Sequence, residues 1–138
     1  MKNNMKGFTL VELLAVIVIL AIIALVTTPV ILGVIENSRK DAAADKAWGT
    51  IEAVKLAYTQ AQMKSEFVST SNSVDFSKSS DQWTIGGTDV KVSISGDQPT
   101  EGTVTIDTST GNGTCSGLKF GDYKCSNTTD ANKMVCEK

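Results

Sequence analysis

Lys6-Gly7-Phe8-Thr9-Leu10-Val11-Glu12 opens an apolar run that decides how the rest of this 138-residue chain is read. From Leu13 to Ile35 there is no charged side chain, and most positions are Leu, Ile, Val or Ala. At ~1.5 Å rise per residue the run makes a helix of about 35 Å, against a hydrocarbon core of roughly 30 Å. That is enough to span a bilayer, and it exceeds the apolar core of an ordinary secretory signal. A carboxylate such as Glu12 at the lip of the run costs up to ~2.5–3.5 kcal/mol near a helix centre and less near an interface, so a partner is expected.

Gly7-Phe8-Thr9-Leu10-Val11-Glu12, behind a short basic leader and ahead of an apolar helix, resembles the class III signal of type IV pilins and pseudopilins. The resemblance implies removal of residues 1–7 by a prepilin peptidase that cuts between Gly7 and Phe8. It also implies N-methylation of Phe8, and assembly in which Glu12 neutralises the amino terminus of a neighbouring subunit. Pro29 matches the family's proline in the same helix. The physics agrees: an amine on Phe8 and a carboxylate on Glu12 are each costly in lipid, and pairing them between staggered helices offsets much of that cost. An ordinary secretory peptide cut near Thr27-Thr28-Pro29 fits worse, because no small-x-small cleavage site is present.

The expected organisation is a leader at 1–7, a transmembrane and filament-core helix at 8–35, an amphipathic helix half at 36–67, and a globular β domain at 68–138. Pro29 removes one backbone donor, and the Thr27 and Thr28 hydroxyls can cover freed carbonyls. With Gly33, these residues mark a kink or, by resemblance, a segment that melts in the filament. Beyond Glu36 the pattern turns amphipathic. Ala44, Ala47, Trp48, Ile51, Val54, Tyr58 and Ala61 form one stripe, which predicts a helix to about Lys64 with Trp48, Ile51, Val54 and Tyr58 as core anchors.

Ser69–Ser80 reads as a polar, exposed connection. Strand signals follow at Trp83–Ile85, Val90–Ile94 and Val104–Ile106, with Gly96–Gly102 as a hairpin loop and Phe120-Gly121-Asp122-Tyr123 as a tight hairpin. From Cys115 onward the chain reads as irregular. The fold class is α+β: a long amino-terminal helix packed on one antiparallel sheet of three or four strands, a pilin-like lollipop.

Net charge is −2; without Lys2 and Lys6, 11 basic residues face 15 acidic ones. No basic run supports general nucleic-acid binding. Lys2 and Lys6 ahead of the apolar run predict the leader inside and the remainder outside, although Arg39-Lys40 opposes this. Cys115, Cys125 and Cys136 allow one disulfide in any of three pairings, or three thiols. The chain has no histidine, the commonest general base near neutral pH. No Ser or Thr has an evident activator, so neither catalysis nor a cofactor is expected. Asp122 and Asp130 are weak calcium candidates.

The expected function is structural: the major subunit of a type IV pilus, stored in the cytoplasmic membrane and assembled into an extracellular filament for adhesion or motility. Its partners would be identical or related subunits, the prepilin peptidase and the assembly machinery. A pseudopilin or minor pilin of a secretion or DNA-uptake machine is the alternative, and a membrane-tethered binding module is a third reading.

Overall fold

The computed structural model describes residues 7–127 and 132–138, which leaves most of the expected leader and Asp130 outside. The helix is α1 (Leu10–Gln62); six short strands follow among the described residues. They are β1 (Ser73–Asp75), β2 (Thr103–Ile106), β3 (Gly113–Ser116), β4 (Leu118–Phe120), β5 (Tyr123–Ser126) and β6 (Val135–Glu137). The chain divides after Ser38 into two units, and α1 contributes to both.

In the first unit every described residue is exposed. Pro29 lies inside a helix that is continuous by its hydrogen bonding. The Thr27 hydroxyl donates to the Ile23 carbonyl at 2.9 Å, and the Thr28 hydroxyl to the Ala24 carbonyl at 2.7 Å. Both bonds fall upstream of the Leu25 carbonyl, the one a proline at position 29 deprives of its i+4 donor. A Cβ placed on Gly33 would meet nothing within 4 Å, so no packing within the chain requires glycine there.

The second unit holds the core. On α1, Ala43, Ala47, Ile51, Val54, Ala57, Tyr58 and Ala61 are buried at three- and four-residue spacing, so the helix presents one apolar stripe. Ile51, Val54 and Tyr58 sit within it, whereas Trp48 is only partly buried and packs at its margin. Against the stripe lie Val74, Phe76, Trp83, Ile85, Val104, Ile106 and Leu118. Phe76 and Trp83 meet edge to face at 4.9 Å, a favoured aromatic geometry.

The α+β arrangement therefore holds, but the strands make two antiparallel three-stranded sheets, β1-β2-β3 and β4-β5-β6. Gly117, at φ 64°, turns the chain between β3 and β4 and sends them into separate ladders. Side chains then join the two: Asn127 Oδ1 accepts from the Cys115 N–H at 2.5 Å, and Ser126 Oγ from the Gly117 N–H at 2.8 Å.

Three local expectations change. Ser69–Ser80 is not merely a solvated link, since Val74 and Phe76 alternate inward and Ser73–Asp75 pairs with Thr103–Thr105. Trp83–Ile85 and Val90–Ile94 share only the bridge Thr84–Lys91. Their inward residues Trp83, Ile85 and Val92 are buried as the alternation implies. The backbone at Gly86 instead bonds the 68–71 segment, through Val68 N–H to Gly86 O and Gly86 N–H to Ser71 O, both 2.7 Å. Gly96–Gly102 is not a hairpin loop joining 90–94 to β2; it runs beside β4, where the Thr100 N–H donates to Lys119 O and the Lys119 N–H to Glu101 O.

The carboxy-terminal quarter is ordered rather than irregular, because β3 to β6 bury Leu118, Phe120, Tyr123 and all three cysteines. Gly121-Asp122 is the two-residue turn between Phe120 and Tyr123, with Gly121 at φ 61°. Cys125 and Cys136, opposite each other on β5 and β6, form the disulfide, and Cys115 is a buried thiol.

Two outcomes follow for the second unit. Gly113 lies so close to α1 that an added Cβ would clash with Ile51 Cγ2. Gly113→Ala is expected to cost ~1–3 kcal/mol through overpacking, read as a lower urea midpoint at unchanged m-value. Burial pushes the Cys115 thiol from 9.0 up to about 11. The unfolded chain then ionises first, so stability is expected to fall as pH rises from about 9 to about 11. Cys115→Ala should remove that part of the slope in pH-dependent unfolding.

Candidate functional site

Gly7, Phe8 and Thr9 precede the first turn of α1 in non-helical backbone, and Phe8 is exposed. The first helical bond runs from the Leu13 N–H to Thr9 O at 3.2 Å, which makes Thr9 the N-cap and Glu12 the third residue of the helix.

These two residues close a reciprocal cap. The Glu12 N–H donates to Thr9 Oγ1 at 3.3 Å, and the Thr9 N–H donates to Glu12 Oε2 at 2.9 Å. The Thr9 hydroxyl also donates to Glu12 Oε2, at 3.1 Å. This is a capping box, and it satisfies backbone donors that a helix start leaves without intrahelical partners. A carboxylate at this position also complements the positive end of the helix dipole. Glu12 is therefore not a lone acid: its own chain already supplies two donors.

The signal for the cap was present in the sequence as Thr9-Leu10-Val11-Glu12, a Thr-x-x-Glu pattern directly before an apolar run. Reading Glu12 only for its cost in lipid passes over it. The cap has a further consequence. It holds a carboxylate at the mouth of the helix, four residues after Phe8, whose backbone nitrogen cleavage after Gly7 would turn into an amine.

Downstream of the cap, every side chain from Leu10 to Ala42 is exposed, although Leu13–Ile35 is almost wholly apolar. The segment is long and apolar enough to cross a membrane. Among the described residues it brings no further polar group to Glu12.

The other candidates do not join this site. Thr27, Thr28, Pro29 and Gly33 lie farther along the same helix, Trp48, Ile51, Val54 and Tyr58 pack in the second unit, and the cysteines lie on β3, β5 and β6. Asp122 occupies the tight turn between β4 and β5, and its proposed calcium partner Asp130 is outside the described residues. Among the described residues no group of three or more His, Cys, Asp or Glu side chains is placed to hold a metal ion.

Comparison with known proteins agrees with this end of the molecule. Residues 2–28 match the family described as the prokaryotic N-terminal methylation motif. The amino-terminal segment is thus the class III signal of type IV pilin-like proteins, the class that takes in pilins and pseudopilins. No curated protein and no solved structure matches the chain. The signal implies processing by a prepilin peptidase, and with the apolar helix it fits anchoring in the membrane before assembly.

Replacing Thr9 by alanine removes both hydroxyl bonds of the cap and is expected to weaken the helix start by ~0.5–2 kcal/mol. Amide hydrogen exchange in detergent micelles should show lost protection confined to the first turn. Thr9→Ser should keep it.

Proposed function

We propose that this chain is a structural subunit, the major pilin, of a type IV pilus, and that it has no catalytic role. Cleavage between Gly7 and Phe8, followed by N-methylation of Phe8, would release a subunit held in the cytoplasmic membrane by α1. Extraction would then pack the apolar helices of many copies together. The filament would serve adhesion or motility at the cell surface.

One observation carries this reading: an uncovered apolar helix with a single carboxylate fixed at its mouth, inside a methylation motif. Lipid satisfies the apolar side chains before assembly, and sister helices satisfy them afterwards. The carboxylate distinguishes the filament from a plain anchor. A plain anchor uses the acid only to close its own helix start, whereas a subunit also gains charge neutralisation and register when a neighbour's amine meets it.

The mechanism divides the work of Glu12 in two. Its Oε2 closes the cap, and its charge answers the amine of the next subunit. Substitutions separate these roles, since glutamine can still close a capping box but carries no charge.

Gly7 replaced by a bulky residue is expected to leave uncut precursor in the membrane. Glu12→Ala should be processed but enter filaments poorly, and Glu12→Gln should do the same while keeping first-turn protection. Immunoblots of sheared surface filaments against membrane fractions read all three. Normal filaments from the Gly7 and Glu12 variants would reject the mechanism. A processed wild-type protein that is scarce in sheared filaments would favour the pseudopilin role instead.

A further inference from the structure

Most lysines in the second unit have found a carboxylate. Lys46 meets Asp97, Lys55 meets Glu52, Lys64 meets Asp89, Lys91 meets Asp81, and Lys119 and Lys124 share Glu101. Arg39, Lys40, Asp41 and Asp45 are different. All four are exposed on α1, and none makes an ion pair among the described residues.

Their placement around the helix is also unusual. At about 100° per residue, Arg39 lies on the side of α1 that becomes the buried stripe one turn later at Ala43, while Asp41 and Asp45 lie roughly half a turn away. Asp41 and Asp45 are four residues apart on one face, an arrangement of like charges that destabilises an isolated helix. So the same stretch of helix carries Arg39 on one side and two acids roughly opposite it, with Lys40 between them. Opposite charges on opposite sides cannot satisfy each other within one copy. They can satisfy a second copy in a head-to-tail contact, the kind that propagates into filaments instead of closing as a dimer.

The register agrees independently. If the Phe8 amine of one copy sits level with Glu12 of its neighbour, the two copies are offset by four residues, about 6 Å along parallel helices. The screw operation that relates filament subunits applies that axial offset everywhere. Arg39 then comes level with residue 43 of the neighbour, midway between Asp41 and Asp45.

We propose that Arg39 of one subunit, assisted by Lys40, docks between Asp41 and Asp45 of the next copy of this chain, a second ionic clamp in register with the pairing of Phe8 and Glu12. This rests on the filament reading given above. The clamp uses charges outside the apolar stretch, so it would fix register where helix packing alone leaves sliding inexpensive. It would also weaken with salt, since exposed pairs are screened over about 10 Å at 0.1 M ionic strength.

Charge reversal tests it. Arg39→Glu and the pair Asp41→Lys with Asp45→Lys are each expected to be processed normally yet to raise the critical concentration for filament assembly about tenfold or more. Combining all three substitutions should restore assembly toward wild type, because the pairing is kept with its sign exchanged. Wild-type filaments together with unimpaired reversals, or impaired reversals that the triple variant fails to rescue, would overturn the clamp and leave the filament reading standing. Failure of the wild-type chain to polymerise would remove both.

Discussion

The constraint on which this molecule depends is the lack of any covering, among its described residues, for the apolar side chains between Leu13 and Ile35. Burying one Leu, Ile or Val side chain is worth ~1.5–3 kcal/mol, and this segment is built of little else. The helix must therefore find its apolar surroundings outside the chain. A bilayer offers them to a single copy and a bundle offers them to many, so membrane storage and the proposed polymerisation would answer the same need.

Glu12 sets the terms on which that need is met. A carboxylate in this position would ordinarily count against burial, yet Thr9 spans the cost locally with two donors to one oxygen. The acid is thus held in a defined place at the helix mouth. The second unit is stabilised by other means: a helix stripe on two small sheets, a disulfide between adjacent strands, and side-chain links from Asn127 and Ser126 where the ladders part at Gly117.

Much of this was legible in the sequence, and the limits are physical. The apolar run and the stripe from Ala47 to Ala61 gave the helix, because a period near 3.6 and the absence of charge are strong signals. The tight turn at Gly121-Asp122 was legible from its glycine. Sheet partners were not, because alternation reports which side chains face inward but not which backbone they pair with. Trp83, Ile85 and Val92 illustrate this: all point inward, while the Gly86 backbone bonds the loop before β1. Val74 and Phe76 were too few among serines to read as a strand. The choice among three cysteine pairings awaited the register of β5 against β6, which places Cys125 opposite Cys136. Around the site, the motif singled out Gly7, Phe8 and Glu12, and the structure adds that Glu12 caps the helix with Thr9. The cap is equally legible in Thr9-Leu10-Val11-Glu12, a Thr-x-x-Glu pattern directly ahead of an apolar run.

The most direct measurement is the intact mass of the wild-type protein recovered from the sheared surface fraction of its own cells. The account predicts a chain that starts at Phe8 and carries one added methyl group, abundant in polymeric material. A chain that still starts at Met1, or one found only as dispersed copies in the membrane, would contradict it.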